Sequence, residues 1–183
     1  NTVDVTYCLR LDRASLSVGE KEIRHALQEG FRYWKNQLSF APTIENGARL
    51  GSQNFKEVAC SEQVDIQFLF GHGTLDAQQL AFLGRPEKYV AVTVRTDYDL
   101  KNLKARGFIY FSSDVGSHAY DNPGNLVERG WQRTRILQYA ILHEMGHMFG
   151  IPHSGTGLMA EVFLNAFYCD LVLFEELNCS RRG

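Results

Sequence analysis

The residues with the clearest capacity for chemistry lie close together, between Leu142 and Ala160, in the stretch LHEMGHMFGIPHSGTGLMA. Within it His143, Glu144, His147, Gly150 and His153 keep the spacing His-Glu-x-x-His-x-x-Gly-x-x-His, and Met159 follows inside Gly-Leu-Met. Side chains four apart on a helix share one face, so His143 and His147 can turn two imidazoles toward a single ion. Glu144 is one step round the helix, placed to reach a water at that ion rather than to serve as a third ligand. Gly150 tolerates positive φ, which lets the helix stop and the chain turn back, so that His153 approaches from the other side. Three neutral imidazoles leave a fourth position for water, the layout of a catalytic rather than a structural zinc site.

The chemistry expected of such a site is hydrolysis of a peptide bond. Zinc lowers the pKa of its bound water toward ~7 and polarises the scissile carbonyl. Glu144 takes the proton of the attacking water as general base and passes it to the leaving amine. Two histidines four apart with a glutamate between them are weak evidence alone. Adding Gly150, His153 and Met159 at these offsets makes a chance helix a poor account. The sequence therefore predicts one catalytic Zn2+, held by His143, His147 and His153, with Glu144 as base.

The elements that must position these residues follow from periodicity. Val3 to Arg10 alternates as a strand. Ser17 to Glu20 reads as a capping box, with Ser17 as N-cap, ahead of an amphipathic helix ending near Gln37. Leu38 to Ile44 reads as a second strand and Val64 to Phe70 as a third, broken by Gly71-His72-Gly73. Tyr89 to Val94 is a β-rich run before a polar loop at Asp97 and Asp99, and Phe108 to Phe111 is a short strand. A helix from Gln132 buries Ile136, Leu137, Ala140, Ile141 and Met145, and Gly150 with Pro152 ends it. A last helix is predicted over Phe163 to Leu177. This order predicts an α+β fold, with a twisted mixed five-stranded sheet packed on two long helices. A small C-terminal subdomain ends in a third helix. The chain reads as one catalytic domain, with an upper part (1–150) and a lower part (151–183).

With 183 residues, 44% of them hydrophobic, the chain is long enough to bury one sizeable core. A net charge of -2 argues against nucleic-acid or anionic-membrane partners. No apolar run is long enough to span a bilayer. The chain opens on Asn1 without a charged-then-apolar leader, which reads as a secreted product of a longer precursor whose signal or pro-segment has been removed. Cys8, Cys60, Cys169 and Cys179 form no C-x-x-C pair, and an even count suits two disulfides in an oxidising compartment. Of the three connectivities, Cys169 with Cys179 is the first expectation because the two are close in sequence; four buried thiols are the alternative.

The motif together with Met159 resembles the metzincin clan of metalloendopeptidases, in which a methionine turn forms an apolar floor beneath the metal. Within the clan the chain is most similar to the matrixins. His153 is followed by Ser154, Val5-Thr6-Tyr7 and Phe31-x-x-Trp34 resemble the matrixin start, and Val64-Asp65-Ile66 resembles a matrixin strand. The resemblance implies that Phe163 lines the S1′ pocket, with an apolar P1′ preference, and that Asp170 supports the methionine turn. It also implies that an edge strand pairs with the substrate backbone. Tyr89, Val90, Ala91 and Val92 are the candidates for that edge, and Gln79 to Leu83 the alternative. The departures are as informative. His72 falls where matrixins begin a structural zinc site, but Thr74 replaces the expected Asp and no His occurs between residues 73 and 117. No structural zinc is therefore expected, and calcium is left open. Cys169 replaces an Asp that pairs with a freed N-terminus. The leading expectation is a monomeric zinc endopeptidase acting on protein or peptide substrates, with a zinc-retaining, peptide-binding pseudoprotease as the alternative. Glu144 discriminates between them, since pseudoproteases commonly lose the base.

Overall fold

The computed structural model describes residues 3–39, 51–61, 63–116, 132–154 and 157–160. In chain order the elements are β1 (Val3–Leu11), α1 (Glu20–Leu38), β2 (Gln53–Glu57), β3 (Ile66–Phe70), α2 (Ala77–Leu83), β4 (Ala91–Asp99), β5 (Lys104–Phe111) and α3 (Arg133–Met148). Short 3-10 turns cover His72–Thr74 and Pro86–Lys88. The five strands form one mixed sheet in the order β2-β1-β3-β5-β4. β1 runs parallel to β2 and β3, β3 runs parallel to β5, and β4 returns antiparallel on β5. The expected α+β fold, with a mixed five-stranded sheet on two long helices, is what the chain adopts.

Strand alternation divides the core between the two faces of the sheet. Phe68, Phe70, Ile109 and Phe111 join Ile23, Leu27, Phe31 and Trp34 of α1 and Ile136, Ala140, Ile141 and Met145 of α3 in the main core. Leu69, Phe108 and Tyr110 point the other way and pack with Leu83 of α2. The two long helices touch each other closely. A Cβ on Gly30 would stand 2.7 Å from Met145 Sδ. Trp34 Nε1 donates to the Leu142 carbonyl at 2.9 Å, fixing α1 against the middle of α3.

Two cross-links brace the sheet end near β3. Cys8 and Cys60 are disulfide-bonded across 52 residues of sequence. Of the three connectivities only the one joining Cys169 to Cys179 is compatible with this bond, and both of those residues lie outside the described residues. Asp65, buried just before β3, accepts from Thr6 N–H at 2.8 Å and Thr6 Oγ1 at 3.0 Å and pairs with Lys104 at 2.8 Å. Opposed charge and hydrogen bonds at this carboxylate thus join β1, β3 and β5.

Several local expectations are corrected. The N-cap of α1 is Gly19, not Ser17, and the N3 carboxylate that closes back onto it is that of Glu22, which accepts from Gly19 N–H at 2.8 Å. Ser17 Oγ instead donates to the Ser113 carbonyl at 2.8 Å, a long-range partner that local sequence cannot reveal. Leu38 belongs to α1 rather than to a second strand, and 40–44 lie outside the described residues. The second strand in chain order is the polar Gln53–Glu57, whose one large apolar side chain, Phe55, stacks on Phe31 at 4.2 Å. Asp97 and Asp99 are in β4, not in a loop. The predicted helix Phe163–Leu177, and with it most of the lower part (151–183), lies outside the described residues. Among the described residues no helix is long and apolar enough to cross a membrane.

Candidate active site

α3 is the scaffold of the site. Its face toward the sheet is apolar, and in its last turns it carries His143, Glu144 and His147, the first two only 3% exposed. The helix closes with Gly150 at φ +90°, where its N–H bonds the His147 carbonyl at 2.9 Å and Ile151 N–H bonds the Gly146 carbonyl at 2.9 Å. This is the reversal that positive φ permits, and it brings His153 back beside the two helical histidines. The chain is then tied to the next turn by Ser154 N–H to the Met159 carbonyl at 2.8 Å, with Gly157 at φ +77° inside the turn. Met159 lies against the helix, and a Cβ on Gly146 would stand 2.5 Å from its Sδ.

The three imidazoles converge through Nε2. His147 Nε2 is 3.1 Å from His143 Nε2 and 3.0 Å from His153 Nε2, and the His143–His153 separation is 3.3 Å. His143 Nδ1 faces the Leu158 carbonyl at 2.8 Å and His147 Nδ1 faces the Ile151 carbonyl at 2.9 Å. A carbonyl only accepts, so the proton of each ring belongs on Nδ1 and the lone pair on Nε2. At least two lone pairs therefore point into the same small space, which is unfavourable without a cation between them. Four ligands placed tetrahedrally at ~2.0–2.1 Å from zinc stand about 3.3 Å from one another. The observed separations fit that donor set closely. Burial pushes the His143 pKa down to about 4, with the neighbouring His147 and His153 adding to the effect and the Leu158 carbonyl opposing it. Burial also lowers that of His147. Both shifts favour the neutral imidazole, the form that binds a metal.

The histidines open into a cleft of about 420 Å³. Its walls include Tyr89, Ala91, Val92 and Thr93 as well as His143, Glu144, His147 and His153. Of the four candidates for the cleft edge, Tyr89, Ala91 and Val92 thus line it. Val90 packs against the main core, and its carbonyl accepts from Ser112 N–H at 2.8 Å. The alternative edge, Gln79 to Leu83, is helical: Asp76 caps α2 by accepting from Gln79 N–H at 2.9 Å. β4 is the outermost strand of the sheet on this side, hydrogen-bonded to β5.

Residues 1–168 match the peptidase family described as Matrixin. The chain belongs to the matrixins. The family is one of zinc metallopeptidases, so a zinc site and metalloprotease chemistry are its general attributes. A relative named disintegrin and metalloproteinase domain-containing protein 10 homolog, from Caenorhabditis elegans, is 30% identical over 110 residues. Those residues are 60% of this chain and 11% of the relative, so the chain spans a small part of that protein.

The remaining site residues of this matrixin divide by location. Met159 is buried under the last turns of α3. Phe163, Asp170, Cys169 and Cys179 lie outside the described residues. His72 sits exposed on its 3-10 turn, on the loop after β3. Three contacts escaped the sequence reading. The carbonyls of Leu158 and Ile151 are main-chain atoms with no signature in side-chain type. Thr93 Oγ1 lies 2.7 Å from Glu144 Oε2 and 2.8 Å from the Glu144 carbonyl. Its signal was available in the alternation of Tyr89 to Val94, which puts Thr93 on the same face as the buried Ala91.

Proposed function

We propose that this matrixin is a zinc-dependent endopeptidase whose metal is held by His143, His147 and His153 and whose general base is Glu144. The observation that carries the reading is the convergence of three Nε2 atoms within 3.3 Å, two of them with the lone pair exposed because the ring proton sits on Nδ1 and is donated to a carbonyl. Zinc bound there supplies Lewis acidity, lowering the pKa of water toward ~7 and polarising a carbonyl oxygen. Glu144 takes up a proton at its carboxylate and returns it to the leaving nitrogen as the C–N bond breaks. The Leu158 and Ile151 carbonyls hold the orientation and tautomer of two ligands, a supporting role that typically matters 10- to 100-fold in metal affinity. The outer edge of β4 offers main-chain donors and acceptors to an extended substrate. An apolar P1′ preference rests on Phe163 and on the family resemblance.

The wider reading is a single catalytic domain that works as a secreted monomer on protein or peptide substrates. The Cys8–Cys60 bond supports an oxidising compartment. The retained Glu144 weighs against a pseudoprotease. The test is Glu144→Ala, assayed on an unstructured protein with metal content measured alongside. Cleavage should be abolished with about one zinc per chain retained. A variant that cuts as fast as wild type refutes the base assignment, and two zinc ions per chain would give His72 a role that this reading denies it. A peptide-library cleavage profile reports the P1′ preference directly.

A further inference from the structure

The side chain of Thr93 has no role in the chemistry described so far, yet it makes a close polar contact between β4 and α3. The pleat decides where it points. Ala91 is buried in the main core, whereas Val92 and Val94 pack with Leu69 and Phe108 on the opposite face. Thr93 therefore faces α3, at a position where an isosteric valine would fill the same volume. What threonine adds is a hydroxyl, and that hydroxyl lies 2.7 Å from Glu144 Oε2 and 2.8 Å from the main-chain carbonyl of the same residue. A hydroxyl has one proton, so it serves one of these oxygens at a time. Its position between them places the strand that lines the cleft in register with the carboxylate at the cleft floor.

We propose that Thr93 is a positioning residue for Glu144: its Oγ1–H anchors Oε2 and restricts the carboxylate to one orientation over the cleft. This inference rests on the reading of Glu144 as general base. The physical argument is one of pre-organisation. A glutamate side chain has three torsions and many rotamers, and a charge-assisted hydrogen bond to one oxygen selects among them. The substrate does not need that bond in order to dock, so losing it reduces the fraction of bound complexes that react rather than the affinity for substrate.

The test compares Thr93→Val, which keeps the volume and removes the donor, with Thr93→Ser, which keeps the hydroxyl, each alone and combined with Glu144→Ala. Thr93→Ala carries the same comparison should valine disturb the packing. In Thr93→Val, kcat should fall about 10- to 100-fold with KM within about 2-fold, and zinc content should match wild type. Thr93→Ser should restore most of the rate. In the Glu144→Ala background the bond to Oε2 no longer exists and Thr93 keeps only the main-chain carbonyl, so the valine should change whatever cleavage remains by less than about 2-fold. Denaturation midpoints of zinc-loaded wild type, Thr93→Val, Glu144→Ala and the double variant should show the same non-additivity, independent of turnover. Unchanged kcat in Thr93→Val overturns the inference, as does an equal loss in both backgrounds or a loss accompanied by release of zinc. Failure of the underlying reading is distinct: there Glu144→Ala itself retains activity.

Discussion

Gly146→Ala sets two effects of opposite sign against each other within the helix that carries His143 and His147. Gly146 lies in α3 between His143 and His147. Replacing a mid-helix glycine with alanine ordinarily stabilises by about 0.5–1 kcal/mol, because glycine loses the most backbone entropy on folding. Here the added Cβ would stand 2.5 Å from Met159 Sδ, 2.8 Å from Trp34 Cζ2 and 3.0 Å from Met159 Cε. Ordinary contact begins near 3.4 Å, so Met159 must retreat by about 0.9 Å and Trp34 by about 0.6 Å. Met159 is flexible, but Trp34 is 5% exposed and held by its indole N–H to the Leu142 carbonyl. Overpacking of this kind costs about 1–3 kcal/mol. The net expectation is a loss of about 1–2 kcal/mol, or about 2–8 °C in Tm for a chain of this length.

The displacement also has a direction. Leu158, next to Met159, supplies the carbonyl that orients His143, and Met159 supplies the carbonyl that fastens Ser154. Moving this turn loosens both, so zinc affinity should fall about 10- to 100-fold, as for other lost supporting contacts. Thermal unfolding of the metal-loaded and metal-free protein, with competitive chelation for affinity, measures the two effects separately. A variant that unfolds at or above the wild-type temperature and binds zinc as tightly refutes the packing argument, since helix propensity would then have prevailed.

Three further outcomes are expected. Replacing Cys8 and Cys60 together by alanine reopens a loop of 52 residues, which costs about 4 kcal/mol on loop-closure grounds; a urea midpoint that barely moves contradicts this. Asp65→Asn leaves Lys104 and Arg106 facing an uncharged amide, and stability should drop by about 3 kcal/mol, the low end for a broken buried pair because Arg106 is half exposed. For Asp65, burial pushes the pKa up, but the bonds from Lys104 and Thr6 outweigh it and hold the carboxyl below its ordinary 3.8. Its contribution is present above about pH 4 and is lost as pH falls further, so Asp65→Asn should flatten the acid limb of a stability-versus-pH curve. His143 behaves differently: its pKa is lowered from 6.5 to about 4, so the unfolded chain binds the proton first. Stability of the metal-free protein should be intact above pH 6.5 and decline as pH falls toward 4. His143→Gln should weaken that decline, as read by urea titration at several pH values.

The clustering of His143, His147 and His153 was legible in the sequence because its geometry is local. The four-residue spacing of His143 and His147 on one helix, and a positive-φ glycine at Gly150, follow from helix periodicity and backbone sterics within eleven consecutive residues. The buried faces of α1 and α3 were legible for the same reason. The tertiary structure alone decided the rest. It set Tyr89, Ala91 and Val92 into the wall of the cleft beside the histidines, whereas Leu83 of the helix over Gln79 to Leu83 packs with Leu69, Phe108 and Tyr110 on the other face of the sheet. It moved the cap of α1 to Gly19, since Ser17 was drawn to the distant Ser113 carbonyl. It made a strand of Gln53–Glu57, whose composition lacks strand character, because β1 offered an open edge and Phe31 a ring to stack on. It joined Cys8 to Cys60 and set Thr93 against Glu144, contacts between residues 52 and 51 apart in the chain. Propensity and periodicity describe what a segment does with its own neighbours, whereas these outcomes depend on partners that only folding brings within reach.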